Sequence, residues 1–252
     1  MARTFEEIFK RQKPVIGMLH LAGDSSEEIA RRAVLEVRLF CEHGFDGAII
    51  ENYHGGILDV ERVLNRLSID LSLSLVLGVN ILPNDYKTAL RLASDPPCRF
   101  IQLDQVAGSY VEGNINPEWY QTSRERYPQP AVFGGVHPKY YTPIDPSLLS
   151  DDIDAAVERC EAIVVTGAGT GKETPLEKIV RFKELIAGRR PLIVGAGTTP
   201  ENVGEQLCYA DGVIIGSALK PGGKTHLPAD PVLVQEYMTA VGEARRRAYN
   251  ST

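Results

Sequence analysis

Eight short apolar segments recur along this chain at intervals of roughly thirty residues, the length of one β-α unit, and nearly every one ends in a polar residue or a glycine. They occupy residues 15–20, 47–51, 75–80, 100–104, 132–137, 163–166, 192–195 and 212–216. Helical spacing fills the intervals between them, so the chain reads as eight β-α units. That is the count a (β/α)8 TIM barrel needs, and such barrels carry their chemistry at the C-terminal ends of the strands. The polar residues that end the segments are therefore the first candidates for function.

The length of 252 residues fits one such barrel without a linker. We expect a single α/β domain over 1–252, with 1–13 as an N-terminal extension and 230–252 as a closing C-terminal helix. A net charge of -6 and the lack of a basic run argue against a nucleic-acid surface, because phosphate backbones require clustered Lys and Arg. The one local cluster, Arg245-Arg246-Arg247, reads as a solvated helix end. The four cysteines, Cys41, Cys98, Cys160 and Cys208, are scattered without a Cys-x-x-Cys pair, which fits buried reduced thiols in a cytoplasmic protein. The longest apolar stretch, 71–82, is too short to span a bilayer, so no transmembrane segment is expected. Self-association into a homo-oligomer is expected from the architecture.

Helix signals support the strand assignments. Ser25-x-x-Glu28 has the capping-box pattern and opens a helix to about His43, with Ile29, Ala33, Val37 and Phe40 on one face. Asn84-Asp85 starts a helix carrying Ala89, Leu92 and Ala93. Thr174-Pro175 and Thr199-Pro200 read as helix starts with proline in the first position. The last helix spans 231–247. Residues 108–117 and 138–150 read as long loops over the active face.

Alternation predicts which side chains enter the barrel. In 100–104, Ile101 and Leu103 face the helices, leaving Gln102 and Asp104 inward. The same parity places Gly78 with Asn80 and Val164 with Thr166. In the first two strands both faces are apolar or small, so alternation there does not discriminate, and His20 and Glu51 are assigned inward from their position alone.

The last two units carry the sharpest signal. Leu192-Ile193-Val194-Gly195-Ala196-Gly197-Thr198-Thr199 is a strand followed by a glycine turn, and Asp211-Gly212-Val213-Ile214-Ile215-Gly216-Ser217 repeats it. Glycines let backbone N–H groups approach an anion, and the helix start that follows adds its dipole. Gly195, Ala196, Gly197, Gly216 and Ser217 thus read as a phosphate cradle, the alternative being that the glycines only permit tight turns. A second cluster, Thr166-Gly167-Ala168-Gly169-Thr170-Gly171-Lys172, has neither P-loop nor dinucleotide spacing. It reads as a loop over the mouth from which Thr170 or Lys172 reaches a ligand, or as a plain surface loop.

Taken together, Ile16-Gly17-Met18-Leu19-His20-Leu21, Gly47-Ala48-Ile49-Ile50-Glu51-Asn52, Leu77-Gly78-Val79-Asn80 followed by Asn84-Asp85, Val164-Val165-Thr166-Gly167, and the two glycine corners resemble the BtpA/SgcQ family over most of the chain. The resemblance implies a barrel of the ribulose-phosphate-binding type. One member of that family is an extrinsic thylakoid protein needed for photosystem I biogenesis, and others lie beside sugar-metabolism genes without an assigned reaction. This chain departs from the family where Val136-His137-Pro138-Lys139 replaces an adjacent Lys-His. It departs again where Asp104-Gln105-Val106 replaces an Asn-containing turn, so no substrate is carried over.

His20, Glu51, Asp104, His137 and Lys139 are the candidate acids and bases, with Asn52, Asn80, Gln102, Thr166, Thr170 and Lys172 as substrate-binding candidates. Over a phosphate cradle they would isomerise, cleave or deglycosylate a small phosphorylated sugar or nucleotide-like metabolite. No cofactor is indicated with certainty; His20, His137, Glu51 and Asp104 offer donors for a divalent metal, and Lys139 or Lys172 offers an amine for a Schiff base. The competing class is a non-catalytic assembly or stability factor for a larger protein complex.

Overall fold

Strands that are apolar on both faces must be covered on both, and here the sheet does so by closing on itself inside a ring of helices. The computed structural model describes residues 3–70 and 74–249. Residues 1–2 of the extension, 71–73 of the long apolar stretch and 250–252 of the closing helix lie outside the described residues. The strands are β1 (Val15–Leu19), β2 (Gly47–Glu51), β3 (Val76–Asn80), β4 (Cys98–Leu103), β5 (Ala131–Gly135), β6 (Ala162–Val165), β7 (Leu192–Val194) and β8 (Gly212–Ile215). They are parallel and joined in sequence order, and β8 returns to β1 through the Val15↔Val213 and Gly17↔Ile215 pairs.

The helices are α1 (Phe5–Ile8), α2 (Ser26–Glu42), α3 (Ile57–Ser68), α4 (Tyr86–Ala93), α5 (Pro117–Arg126), α6 (Leu149–Arg159), α7 (Leu176–Ile186), α8 (Val203–Tyr209) and α9 (Pro231–Tyr249). Two helix starts follow the sequence reading: the Ser25 hydroxyl accepts from the Glu28 amide at 3.2 Å and Asp85 from the Thr88 amide at 3.0 Å. Two differ. Thr174 does not cap α7 but donates its hydroxyl to the Ala196 carbonyl at 2.9 Å. Past Pro200, Asn202 Oδ1 accepts the Thr199 amide at 2.7 Å, and α8 begins only at Val203.

Two apolar cores result. The outer one packs Leu19, Ile50, Ile101, Leu103 and Val165 of the strands against Ile29, Ala33, Val37 and Phe40 of α2 and their counterparts on the other helices. The inner one holds Ile16, Met18, Ile49, Phe100, Phe133, Val164, Ile193 and Ile214. This confirms the alternation read for β4, with Phe100 and Gln102 inward and Ile101 and Leu103 outward. It also settles the first two strands: Ile16 and Met18 share the inner face with His20, and Ile49 shares it with Glu51. Gly78 is required beneath the site, because a Cβ there would lie 2.4 Å from the Phe100 ring.

The N-terminal extension plugs one end of the barrel. Phe5 packs on Phe133 with ring centroids 5.6 Å apart, Phe9 on Phe100 at 6.0 Å, and Phe100 stacks on Phe133 at 4.4 Å. Each fully buried phenylalanine contributes about 1.5–3 kcal/mol. Among the described residues, that end is filled by aromatic side chains, and a cavity lies at the other, at the strand C-termini.

Arg245 is not a solvated helix end. Its guanidinium is largely buried and donates to Asp46 at 2.5 Å and to the Lys13 carbonyl at 2.8 Å, tying α9 to the plugged end of the barrel. The thiols are all free, but only Cys98 and Cys160 are buried; Cys41 is half-buried and Cys208 exposed. Among the described residues, no helix is long and apolar enough to cross a membrane.

Candidate active site

The open end of the barrel holds a cavity to which the strand ends and the loops after β2, β5, β6, β7 and β8 all contribute. His20, Glu51, Gln102, Asp104, Lys139, Thr170, Gly195, Ala196, Gly197, Gly216 and Ser217 line it, so eleven of the sixteen residues singled out in the sequence meet in one place. A twelfth, Asn80, lies fully buried just behind the wall.

Glu51 ends β2 and Asn80 ends β3, and the two are register partners. The Asn80 amide donates to Glu51 Oε2 at 2.7 Å. Burial raises the Glu51 pKa to about 7; Lys139 opposes that rise and Asp104 adds to it. Asp104 is pushed up as well, by desolvation, against the pull of Lys139 and a hydrogen bond from Asn80. The two carboxyls thus feel the same amide and the same lysine, and the amide is hydrogen-bonded to Glu51. Lys139 donates its ammonium to the Thr170 hydroxyl at 3.1 Å and its backbone amide to the Thr166 hydroxyl at 2.8 Å.

His20 follows β1, the strand that pairs with β2, and its ring lies against the β8 corner, 2.5 Å from a Cβ placed on Gly216. Burial, aided by the charges of Lys220 and Lys139, lowers its pKa to about 3, so it is a neutral imidazole at physiological pH. Tyr53 packs edge-on against it with centroids 5.2 Å apart. Lys220 is itself buried behind the β8 corner, bonded to Glu36 at 3.3 Å and to the Leu227 carbonyl at 3.1 Å. Burial lowers its pKa.

The two glycine corners form the remaining wall. Gly197 has φ +68, and a Cβ there would lie 2.1 Å from the Lys172 carbonyl oxygen, so only glycine lets the β6 and β7 loops touch. The amides of Ala196, Gly197 and Ser217 carry no hydrogen bond among the described residues, and Ser217 opens a short 3-10 turn, Ser217–Leu219. Gly195 is a correction to the expected donor set: its amide is committed to the Val165 carbonyl at 2.8 Å, so it shapes the corner without donating to a ligand. Tyr237 of α9 supports the corner by donating to the Thr198 hydroxyl at 3.0 Å.

Four expected residues lie outside the cavity. His137, at φ +44, turns its ring to Asp152 at 2.7 Å, accepts from Lys178 at its carbonyl at 3.0 Å and donates its amide to the Tyr110 hydroxyl at 3.0 Å. Asn52 clamps the β3 loop, accepting the Leu82 amide at 2.7 Å and donating to its carbonyl at 3.1 Å. Thr166 holds the Lys139 backbone. Lys172 is exposed and does not line the cavity, which removes it as a Schiff-base amine. The expected metal set is likewise not assembled: His137 points away, and no group of three or more His, Cys, Asp or Glu able to hold a metal occurs among the described residues.

Sequence reasoning missed Tyr53 and Tyr140, which frame the mouth. Tyr140 adopts φ +65, and its hydroxyl accepts the Thr170 amide at 2.9 Å. Both tyrosines sit in loops, where no periodicity marks a side chain as inward.

The chain is 28% identical over 262 residues to the photosystem I biogenesis protein BtpA of Synechocystis sp., covering 94% of this chain and 91% of that protein. It is 32% identical over 243 residues to an uncharacterized protein of Methanocaldococcus jannaschii, covering 87% and 92%. Among solved structures it resembles native KDPGal, with a TM-score of 0.61 at 17% identity over 94% of this chain and 96% of that one. It also resembles phosphoribosyl anthranilate isomerase from Thermococcus kodakaraensis, with a TM-score of 0.59 at 16% identity over 91% and 98%. At those identities the structural likenesses speak to the barrel alone. The family model for BtpA matches residues 11–243, and the chain belongs to the BtpA family.

Proposed function

We propose that this BtpA-family barrel is an enzyme that binds a small phosphorylated sugar or nucleotide-like metabolite and moves protons on it with Glu51 and Asp104. One observation carries the reading: the unbonded amides of Ala196, Gly197 and Ser217 share a cavity with two carboxyls whose pKa values are raised. Unbonded backbone N–H groups at glycine corners suit a phosphate. A carboxyl near neutrality both gives and takes a proton at working pH, the requirement for general acid–base catalysis. Lys139 supplies the charge that steadies a developing oxyanion. Isomerisation and carbon–carbon or glycosidic cleavage all fit this arrangement. We place the enzyme in the cytoplasm as a homo-oligomer, which light scattering tests.

Thermal unfolding of the purified protein with inorganic phosphate and a panel of phosphorylated metabolites tests the reading. A ligand at a hundred times its dissociation constant stabilises the fold by about 2.7 kcal/mol. A flat response to every phosphate overturns it. That outcome favours the second reading, a non-catalytic assembly factor, which the name of the Synechocystis relative supports.

A further inference from the structure

Away from the cradle, the cavity walls come from the ends of β1, β2 and β4, and their polar groups are mostly of one kind. Glu51 and Asp104, once ionised, offer only acceptors. Gln102 and His20 line the same space, are 6% and 4% exposed, and keep Oε1 and Nδ1 without a partner among the described residues. Against these groups Lys139 is the sole lysine or arginine among the lining residues. Buried polar atoms are normally hydrogen-bonded, and an unpaired one is costly.

We infer that the end of the ligand away from its phosphate is an uncharged polyol, the hydroxyl-bearing carbons of a sugar, whose hydroxyls donate to Glu51, Asp104 and Gln102 and accept from Lys139. The inference rests on the reading that the loops after β7 and β8 hold phosphate. A carboxylate at that end would set a third acid beside Glu51 and Asp104 with one lysine to offset all three. An alkyl end would leave the buried polar groups unpaired. Hydroxyls both donate and accept, so they satisfy the acceptors and the lysine together.

Calorimetric titration of the full chain with matched phosphates tests this. Ribose 5-phosphate is expected to bind at least about tenfold more tightly than propyl phosphate, and glycerol 3-phosphate more tightly than 3-phosphoglycerate by a similar factor, the scale of one or two hydrogen bonds. Gln102→Leu is expected to cut the advantage of ribose 5-phosphate over propyl phosphate about tenfold, with its fold checked by circular dichroism. Should that variant not fold, the wild-type series decides alone. Propyl phosphate or 3-phosphoglycerate binding as tightly as its hydroxylated counterpart overturns the polyol inference and leaves the phosphate reading standing. If no phosphate binds, inorganic phosphate included, both fall.

Discussion

Asn80 donates to Glu51 across the β2–β3 register at 2.7 Å, so the carboxyl at the centre of the site is held by a neighbour with no exposed surface. The bond favours the ionised carboxylate, and burial, the larger effect, favours the neutral acid.

The pH dependence of stability follows. Glu51 has a pKa of about 7 in the fold against 4.5 unexposed to it, so between those values the native state holds a proton that the unfolded state has released. Its contribution is complete below the lower value and is lost as pH rises through the upper one. Glu51→Gln is expected to lose less stability than wild type between about pH 5 and about pH 8, by on the order of 2–3 kcal/mol. Urea titrations across that range measure it; parallel curves would place Glu51 in water.

His20 acts with the opposite sign. Its pKa of about 3 lies below the usual 6.5, so in that window the unfolded state binds the proton and stability falls as pH falls. The His20 ring resonances are expected to show no titration above about pH 4 by NMR, and His20→Asn is expected to soften acid unfolding. A midpoint near 6.5 would contradict its burial between Tyr53 and the β8 corner.

Gly197 and Gly188 separate crowding from conformation. Both have left-handed φ, at +68 and +73, but a Cβ on Gly197 meets the Lys172 carbonyl at 2.1 Å, whereas one on Gly188 meets nothing within 4 Å. Gly188→Ala is expected to cost about 1–2 kcal/mol, the penalty of the backbone region alone. Gly197→Ala is expected to cost about 3 kcal/mol or more, and to weaken phosphate binding by displacing the corner. Equal losses on chemical unfolding would show that the β6 loop does not press on β7.

The Arg245–Asp46 pair closes the plugged end. Asp46 also accepts the Val15 amide at 2.9 Å and has Arg11 at 3.6 Å, so losing Arg245 leaves a half-buried carboxylate with the longer of its two ion pairs. Arg245→Met is expected to destabilise by about 1–2 kcal/mol. Because the pair is sheltered, the loss should persist at high salt; a loss that vanishes there would make it a surface contact.

Gln102 and Asp104 were legible because alternation along β4 is fixed by the pleat, whatever the rest of the chain does. The glycine corners were legible because tight turns constrain residue type locally. His137 and Lys139 show where that reach stops. They lie two residues apart beyond β5, yet Lys139 enters the cavity while His137 turns to Asp152 on α6, a partner fifteen positions along the chain.

The eight-fold recurrence of apolar segments by itself determined the barrel, and alternation within it the inward parity of β3, β4 and β6, since these depend on spacing and period alone. Only the tertiary structure decided which loop residues line the mouth, which expected donors were already committed, and that the N-terminal segment is a plug. Each of those outcomes turns on contacts between residues far apart in sequence, where local pattern carries no information about direction.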